Sequence, residues 1–183
     1  MSNLAGAVQA TEPPGERFRA LVVRSFLALP GAHNGLAALQ AKAAGFDALY
    51  LGGSAMTGQM GIPDIGILTI EDTCFHIRQV SRTSGLPVLV DGDTGTADAA
   101  GTAHMVRAFE DAGAAAIHIE DQSLPKKCGH LENKNLVDPS EMAMKIAAAV
   151  GASQNLYVIA RTDAAASEGL DGAIARANLY LEA

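Results

Sequence analysis

Five consecutive residues, Lys126-Lys127-Cys128-Gly129-His130, gather more reactive chemistry than any other stretch of the chain. A thiol reacts as its thiolate, and neighbouring positive charge lowers its pKa. Lys126, Lys127 and His130 beside Cys128 therefore point to acid/base or nucleophilic work. Pro125, Gly129 and Asn133 place the pentapeptide in turn-rich chain. Taken alone, it also reads as a basic surface loop that happens to carry a cysteine.

Asp91-Gly92-Asp93 sets two carboxylates on one face of a strand end, with a glycine leaving the backbone open. Hard divalent cations such as Mg²⁺ are commonly held by one or two carboxylates plus water and substrate oxygens. Glu120, on what reads as the neighbouring strand, and Asp64, in a loop, could join that site; an ordinary Asp-Gly turn is the alternative. Arg161 ends an apolar strand and is suited to clamp a carboxylate in a bidentate pair, or else to close an internal salt bridge with Asp163 or Glu120. Gly52-Gly53-Ser54 offers backbone N–H groups and a hydroxyl for an anion, or a tight turn. His118 reads as a satisfied core histidine, and Cys74 as a buried thiol. A zinc site built from the Cys-x-His pairs is disfavoured, because such spacing on a helix points the two side chains apart.

These residues need positioning elements, and the apolar patterning supplies them. Strands are expected over Phe26–Pro30, Asp47–Leu51, Pro87–Val90, Ala115–Ile119 and Leu156–Ala160. Helices are expected over His33–Ala44, Ile70–Ser84, Asp98–Ala112, Asp138–Val150 and from Asp171 onward, with Gly45, Gly85 and Gly113 as stops. The Gly/Met-rich stretch after Ser54 reads as irregular. Five strand-then-helix units make a parallel sheet with helices outside. No Gly-x-Gly-x-x-Gly follows the first strand, which removes the main support for a doubly wound dinucleotide fold. Every polar cluster falls at the C-terminal end of a strand, where (β/α)₈ barrels build their sites. The expected fold is thus an α/β (β/α)₈ TIM-type barrel. A closed barrel takes eight units and about 250 residues, so the 183 residues are expected to hold only the first five units. A loose N-terminal arm is expected over 1–17 and the partial catalytic barrel over 18–183.

Composition narrows the function classes. The chain is 49% apolar with a formal net charge of −7 and no long basic tract, which argues against a nucleic-acid partner. No apolar run has the length of a membrane span. Two cysteines and no secretory leader suit a reducing cytoplasm.

Assembled in order, the chain resembles the isocitrate lyase/phosphoenolpyruvate mutase superfamily, and within it the methylisocitrate lyase branch. The resemblance rests on Pro30–Gly35, Leu49–Gly53, Ile62–Gly66, Val90–Gly95, His118–Gln122, Pro125–His130 and Ala160–Asp163. It runs from about Phe18 to the last residue, and the Lys-Lys-Cys-Gly-His loop marks the lyases. It implies a Mg²⁺-dependent barrel, with Mn²⁺ as a substitute, that forms a homo-oligomer, usually a tetramer. The implied reaction is reversible cleavage of a 2-hydroxy tricarboxylate to an α-keto acid and succinate. It further implies that Asp91 and Asp93 hold the metal with Asp64 and Glu120 near, and that Gly52, Gly53, Ser54, Gly129 and Arg161 bind substrate carboxylates. By the same resemblance, Cys128 would protonate the departing carbon from a mobile loop, with Lys126, Lys127 and His130 tuning it. Three positions depart from the family pattern. Gly52 stands where lyases usually carry serine, Thr96-Ala97 replaces an aromatic and a glycine, and Glu132-Asn133 replaces a small pair. The family's later glutamate and further carboxylate ligands would lie beyond Ala183, so the chain alone is expected to be inactive.

Overall fold

In a computed structural model of the chain, residues 12–24 and 26–183 are described. Helix α1 (Pro14–Arg24) comes first, so the last residues of the expected loose arm are helical, while residues 1–11 lie outside the described part. Then follow α2 (Gly35–Ala43), β1 (Leu49–Leu51), α3 (Gly53–Met60), α4 (Ile70–Ser84), β2 (Val88–Asp91), α5 (Ala99–Ala112), β3 (Ala116–Glu120), α6 (Pro139–Ala152), β4 (Tyr157–Arg161) and α7 (Ala165–Leu181).

Local chemistry explains most of the helix ends. Thr69 and Asp72 form a reciprocal capping box on α4, the Thr69 hydroxyl accepting from the Asp72 N–H at 3.1 Å. Asp98 caps α5 by accepting from Gly101 N–H at 2.8 Å, and Asp138 precedes Pro139 at the start of α6. Gly85 and Gly113 close α4 and α5 with φ of 69° and 104°, backbone that favours glycine. Two expectations are corrected. Phe26–Pro30 forms no strand; its neighbour Gly31 makes one parallel bridge to Tyr50, so among the described residues four strands stand where five were expected. The Gly/Met-rich stretch forms helix α3, which buries Met56 and Thr57. Helix α7 starts before Asp171 and contains a kink at Gly169.

The strands run parallel in the order β1-β2-β3-β4. Each strand neighbours its successor, as in a barrel wall; a doubly wound sheet reverses order at a switch point. Strand parity then sorts the side chains into two layers. Leu49, Leu51, Val88, Val90, Ile117 and Ile119 face the helices and join Ile77, Val106, Phe109 and Met142 in the main core. The opposite, inward face carries Ala48, Leu89 and Ala116, packed with Phe18 from α1. Further along, the same face carries Asp91 and His118, paired in register, and then Glu120 beside Arg161. The apolar layer thus supports a polar layer at the strands' C-terminal ends.

Two polar clusters fix that rim. Glu110 of α5 accepts from the N–H groups of Gln154, Asn155 and Leu156 at 2.9, 2.6 and 3.1 Å, setting the entry to β4. At the exit, fully buried Asp121 accepts from the Thr162 hydroxyl at 2.7 Å, Asp163 N–H at 2.9 Å and the Tyr180 hydroxyl at 2.9 Å, with Arg176 at 3.4 Å. Helix α7 is therefore fastened to the ends of both β3 and β4. Among the described residues, no helix is long and apolar enough to cross a membrane.

Candidate active site

At the strand ends lies a cavity of about 310 Å³ lined by Tyr50, Gly52, Gly53, Ser54, Asp64, Asp91, Glu120, Lys126, Cys128, Gly129, His130 and Arg161. Nearly every residue singled out from sequence reaches it. Asp93 stands just outside, on the wall of a second cavity of about 260 Å³.

Asp91 ends β2 in a fully formed cradle. One of its oxygens accepts from Gly53 N–H at 3.0 Å and from the Tyr50 hydroxyl at 3.3 Å, and the other from Asp93 N–H at 3.0 Å. The Gly53 N–H is thus committed to Asp91 rather than standing free for a substrate. A side chain at residue 53 would put its Cβ 3.1 Å from the Asp91 carboxylate. Gly53→Ala is expected to displace that carboxylate and weaken divalent-cation affinity about tenfold or more, by analogy with the loss of a ligand's supporting contact. Calorimetric titration of Mg²⁺ would read this, and an unchanged affinity would separate Asp91 from the metal.

Lys126 departs from its expected role. Its ammonium is 3% exposed and sits between Asp64, at 2.8 Å, and Asp93. Burial opposes its charge, but the two carboxylates outweigh burial and hold its pKa above the ordinary value. Burial likewise opposes ionisation of Asp64, yet hydrogen bonds from Lys126 and Ser54 hold its pKa below normal. Asp93 is pushed up by burial and then by Asp91. Lys127 points to the Asn133 carbonyl at 2.7 Å. Of the three expected cations, only His130 stands beside the thiol, with Nδ1 3.6 Å from Sγ. The Ser54 hydroxyl lies 3.3 Å from the same sulfur and donates to Asp64 at 2.6 Å.

Arg161 closes both internal salt bridges raised as its alternative, to Glu120 at 2.9 Å and to Asp163 at 3.1 Å. It remains about a third exposed toward the cavity. Glycine at residue 129 lets the loop approach it closely: a Cβ there would lie 2.5 Å from the guanidinium, which would have to shift. Burial raises the Glu120 pKa to about 7, against the pull of Arg161. His118 lies beneath the cavity, its Nε2 3.0 Å from the Tyr50 hydroxyl, and burial lowers its pKa.

Among the described residues, four carboxylates, Asp64, Asp91, Asp93 and Glu120, face the two cations Lys126 and Arg161, an excess of negative charge that suits a divalent cation. One Asp93 oxygen is buried with no hydrogen bond of acceptable geometry, although the Lys126 ammonium is beside it. Among the described residues, no three His, Cys, Asp or Glu side chains stand close enough to share an ion. The four carboxylates named from sequence therefore do not form one direct ligand shell. That leaves Asp91 and Asp93, the latter beside Lys126, as candidate ligands acting through water; Glu120 is taken by Arg161 and Gln122. Sequence reasoning missed Tyr50, Gln122 and Lys134. Tyr50 was legible in principle, because strand parity puts it on the inward face with Asp91.

The barrel wall, the rim carboxylates and the thiol loop stand together at the C-terminal ends of the strands, the place where α/β barrels build their sites. The chain belongs to the phosphoenolpyruvate phosphomutase family, whose sequence profile matches residues 18–183. It is similar to 2-methylisocitrate lyase of Aeropyrum pernix, 46% identical over 173 residues that cover 94% of this chain and 56% of that protein. The 2-methylisocitrate lyase of Bacillus subtilis is 47% identical over 184 residues, covering 100% of this chain and 61% of that protein. Among solved structures, 2,3-dimethylmalate lyase, a PEP mutase/isocitrate lyase superfamily member, superposes with a TM-score of 0.89 at 35% identity, covering 94% of this chain and 60% of that one. A phosphonopyruvate hydrolase in complex with oxalate and Mg²⁺ superposes with a TM-score of 0.84 at 32% identity, covering 93% and 60%. The chain thus spans about 56–61% of the length of these relatives.

Proposed function

We propose that the chain supplies the metal carboxylates, the substrate arginine and the acid loop of a carbon–carbon lyase. The substrate is 2-methylisocitrate or a close 2-hydroxy tricarboxylate, cleaved to pyruvate and succinate. One observation carries this reading: the Cys128 thiol is held over the cavity against Ser54, with Arg161 and Asp91 lining the same space. The same reading makes the full protein a cytoplasmic homotetramer in propionate-derived carbon metabolism, supported by the resemblance of its motifs.

When bound, Mg²⁺, or Mn²⁺ in its place, would supply Lewis-acid polarisation of the oxygen at the cleaved carbon. Asp91 and Asp93 would hold it, largely through water. Tyr50 and Gly53 N–H fix the Asp91 carboxylate, so its oxygens are presented without reorganisation. Arg161, kept charged by Glu120 and Asp163 despite burial, takes a substrate carboxylate. Gly52, Ser54 and Gly129 shape the wall around that carboxylate. As the C–C bond breaks, a cavity carboxylate (Asp64, Asp91 or Glu120) takes the proton of the substrate hydroxyl that becomes the keto group of pyruvate, and Cys128 gives its proton to the carbon that leaves as succinate. His130 stands beside the sulfur to stabilise the charge left there. The loop covers the cavity and keeps bulk water from competing as the proton source.

The test is a substrate panel of 2-methylisocitrate, isocitrate, 2,3-dimethylmalate and oxaloacetate, with and without Mg²⁺. It is run on the 183-residue chain and on the same sequence joined to the remaining length of a curated relative. Pyruvate and succinate from 2-methylisocitrate, abolished by chelation, are the expected products. Turnover of oxaloacetate alone would move the protein to the hydrolytic or decarboxylating side of the superfamily. No turnover in either form, with Mg²⁺ still bound, would leave a non-catalytic barrel fragment.

A further inference from the structure

The thiol loop contains little that could hold it by packing. Cys128 is half-buried, and Leu131, Glu132 and Asn133 beyond it are exposed. A segment with so few buried apolar contacts opens easily unless polar links fasten it. Gln122, two residues past the end of β3, supplies such links. Its side chain is 1% exposed, and its carbonyl oxygen accepts from Lys127 N–H at 2.9 Å while its amide nitrogen donates to the Lys127 carbonyl at 3.0 Å. The residue immediately before Cys128 is therefore gripped on both its backbone groups by one buried side chain. The same nitrogen donates to Glu120 and to Asp163, each at 2.8 Å. Two N–H groups serve three acceptors, so one of these bonds is shared.

A second fastening lies on the other side of the thiol. The Lys134 ammonium donates to the Gly129 carbonyl at 2.8 Å and stands 3.4 Å from Asp163. Asp163 also accepts from Arg161 Nε at 3.1 Å. Residues 127 and 129, flanking Cys128, are thus tied to the carboxylate that orients the cavity arginine.

We propose that Gln122 is the positioning residue that holds the Cys128 loop closed over the cavity, with Lys134 as a second latch, both fastened to Asp163. The residue type follows from the task. A primary amide meets a backbone N–H and a backbone carbonyl at once with two separate atoms, whereas a glutamate would lose the donor and face Glu120 and Asp163 with a like charge. The catalytic meaning of closure rests on the lyase reading above, but closure itself is measured without turnover.

Cys128 and Cys74 are the chain's two thiols, and Cys74 is buried at 2% exposure, which makes it an internal control for unfolding. The alkylation rate of each thiol by iodoacetamide is read by peptide mass spectrometry for the native protein and for Gln122→Leu, Gln122→Glu and Lys134→Met. In the Gln122 variants and in Lys134→Met, Cys128 is expected to react about tenfold faster, the size of effect that loss of one or two hydrogen bonds produces, while Cys74 stays silent. Removing the Lys134 charge would by itself slow a thiolate reaction, so acceleration in that variant reports opening rather than electrostatics. In a turnover-competent form, kcat falls with KM changed less than about twofold, because the arginine contacts remain. Cys128 rates within about twofold of native in all variants, with Cys74 protected, would overturn the proposal. If Gln122→Leu exposes Cys74, Lys134→Met, at the loop surface, decides alone. Faster labelling without lyase turnover in any form would sink the lyase reading and leave the latch standing.

Discussion

Cys128→Ser is expected to lower lyase turnover by about 10²–10⁴-fold, the contribution of a positioned general acid, while Mg²⁺ affinity stays within about twofold. The change is nearly isosteric, so the loop keeps its links through Lys127 and Gly129. What changes is acidity. An alcohol releases a proton far less readily than a thiol, and the leaving carbon must receive one as the bond breaks. Cys128 is outside the direct contacts of Asp91 and Asp93, which predicts that the metal is indifferent to the substitution. Steady-state kinetics on 2-methylisocitrate together with Mg²⁺ titration separates the two effects. Turnover retained at the native rate would remove Cys128 from the proton path, whatever the loop does.

Asp121→Ala should be the most destabilising single substitution at the rim, at about 3–5 kcal/mol, the cost of stripping one partner from a buried charged network. Asp121 is fully buried and joins Thr162, the Asp163 backbone, Tyr180 and Arg176. Its loss leaves the Arg176 charge 7% exposed with only Glu168, itself more than a third exposed, as an ionic partner. The Tyr180 hydroxyl, whose pKa burial already raises to about 12, also loses its acceptor. Urea unfolding followed by far-UV circular dichroism would register the difference, and Asp121→Asn, which keeps an acceptor, should cost visibly less. A loss below about 1 kcal/mol for the alanine variant would mean that α7 is held by packing rather than by this network.

Much of the architecture is legible because its causes are local. Thr69 with Asp72, Asp98, and Asp138 with Pro139 each mark a helix start by chemistry confined to about four residues, and the helices begin there. Strand parity sets His118 and Glu120 on one face of β3, because the alternation of side chains is fixed by the backbone, and the register then puts Asp91 beside His118. Helix α3 was not legible. Glycines at 53 and 58 give it poor intrinsic propensity, and it forms because Met56 and Thr57 are buried and the Gly53 N–H is received by Asp91. The Phe26–Pro30 segment failed in the opposite direction: it is apolar enough for a strand, but the chain there makes one bridge, at Gly31, and continues as irregular structure.

Residue types and their order along the chain set the available chemistry: a thiol loop, rim carboxylates, an arginine at a strand end, and the barrel wall that brings them to one side. Residue type and short-range periodicity suffice for that, because both are written along the chain. The tertiary structure alone decided how the charges are spent. Lys126, two residues before the thiol, turns inward to neutralise Asp64 and Asp93, leaving the His130 imidazole as the neighbour of Cys128. Gln122, an unremarked neighbour of Asp121, becomes the grip on the loop. Both outcomes depend on partners between five and about sixty positions away, and a long flexible side chain can meet any of them until the strands fix its origin.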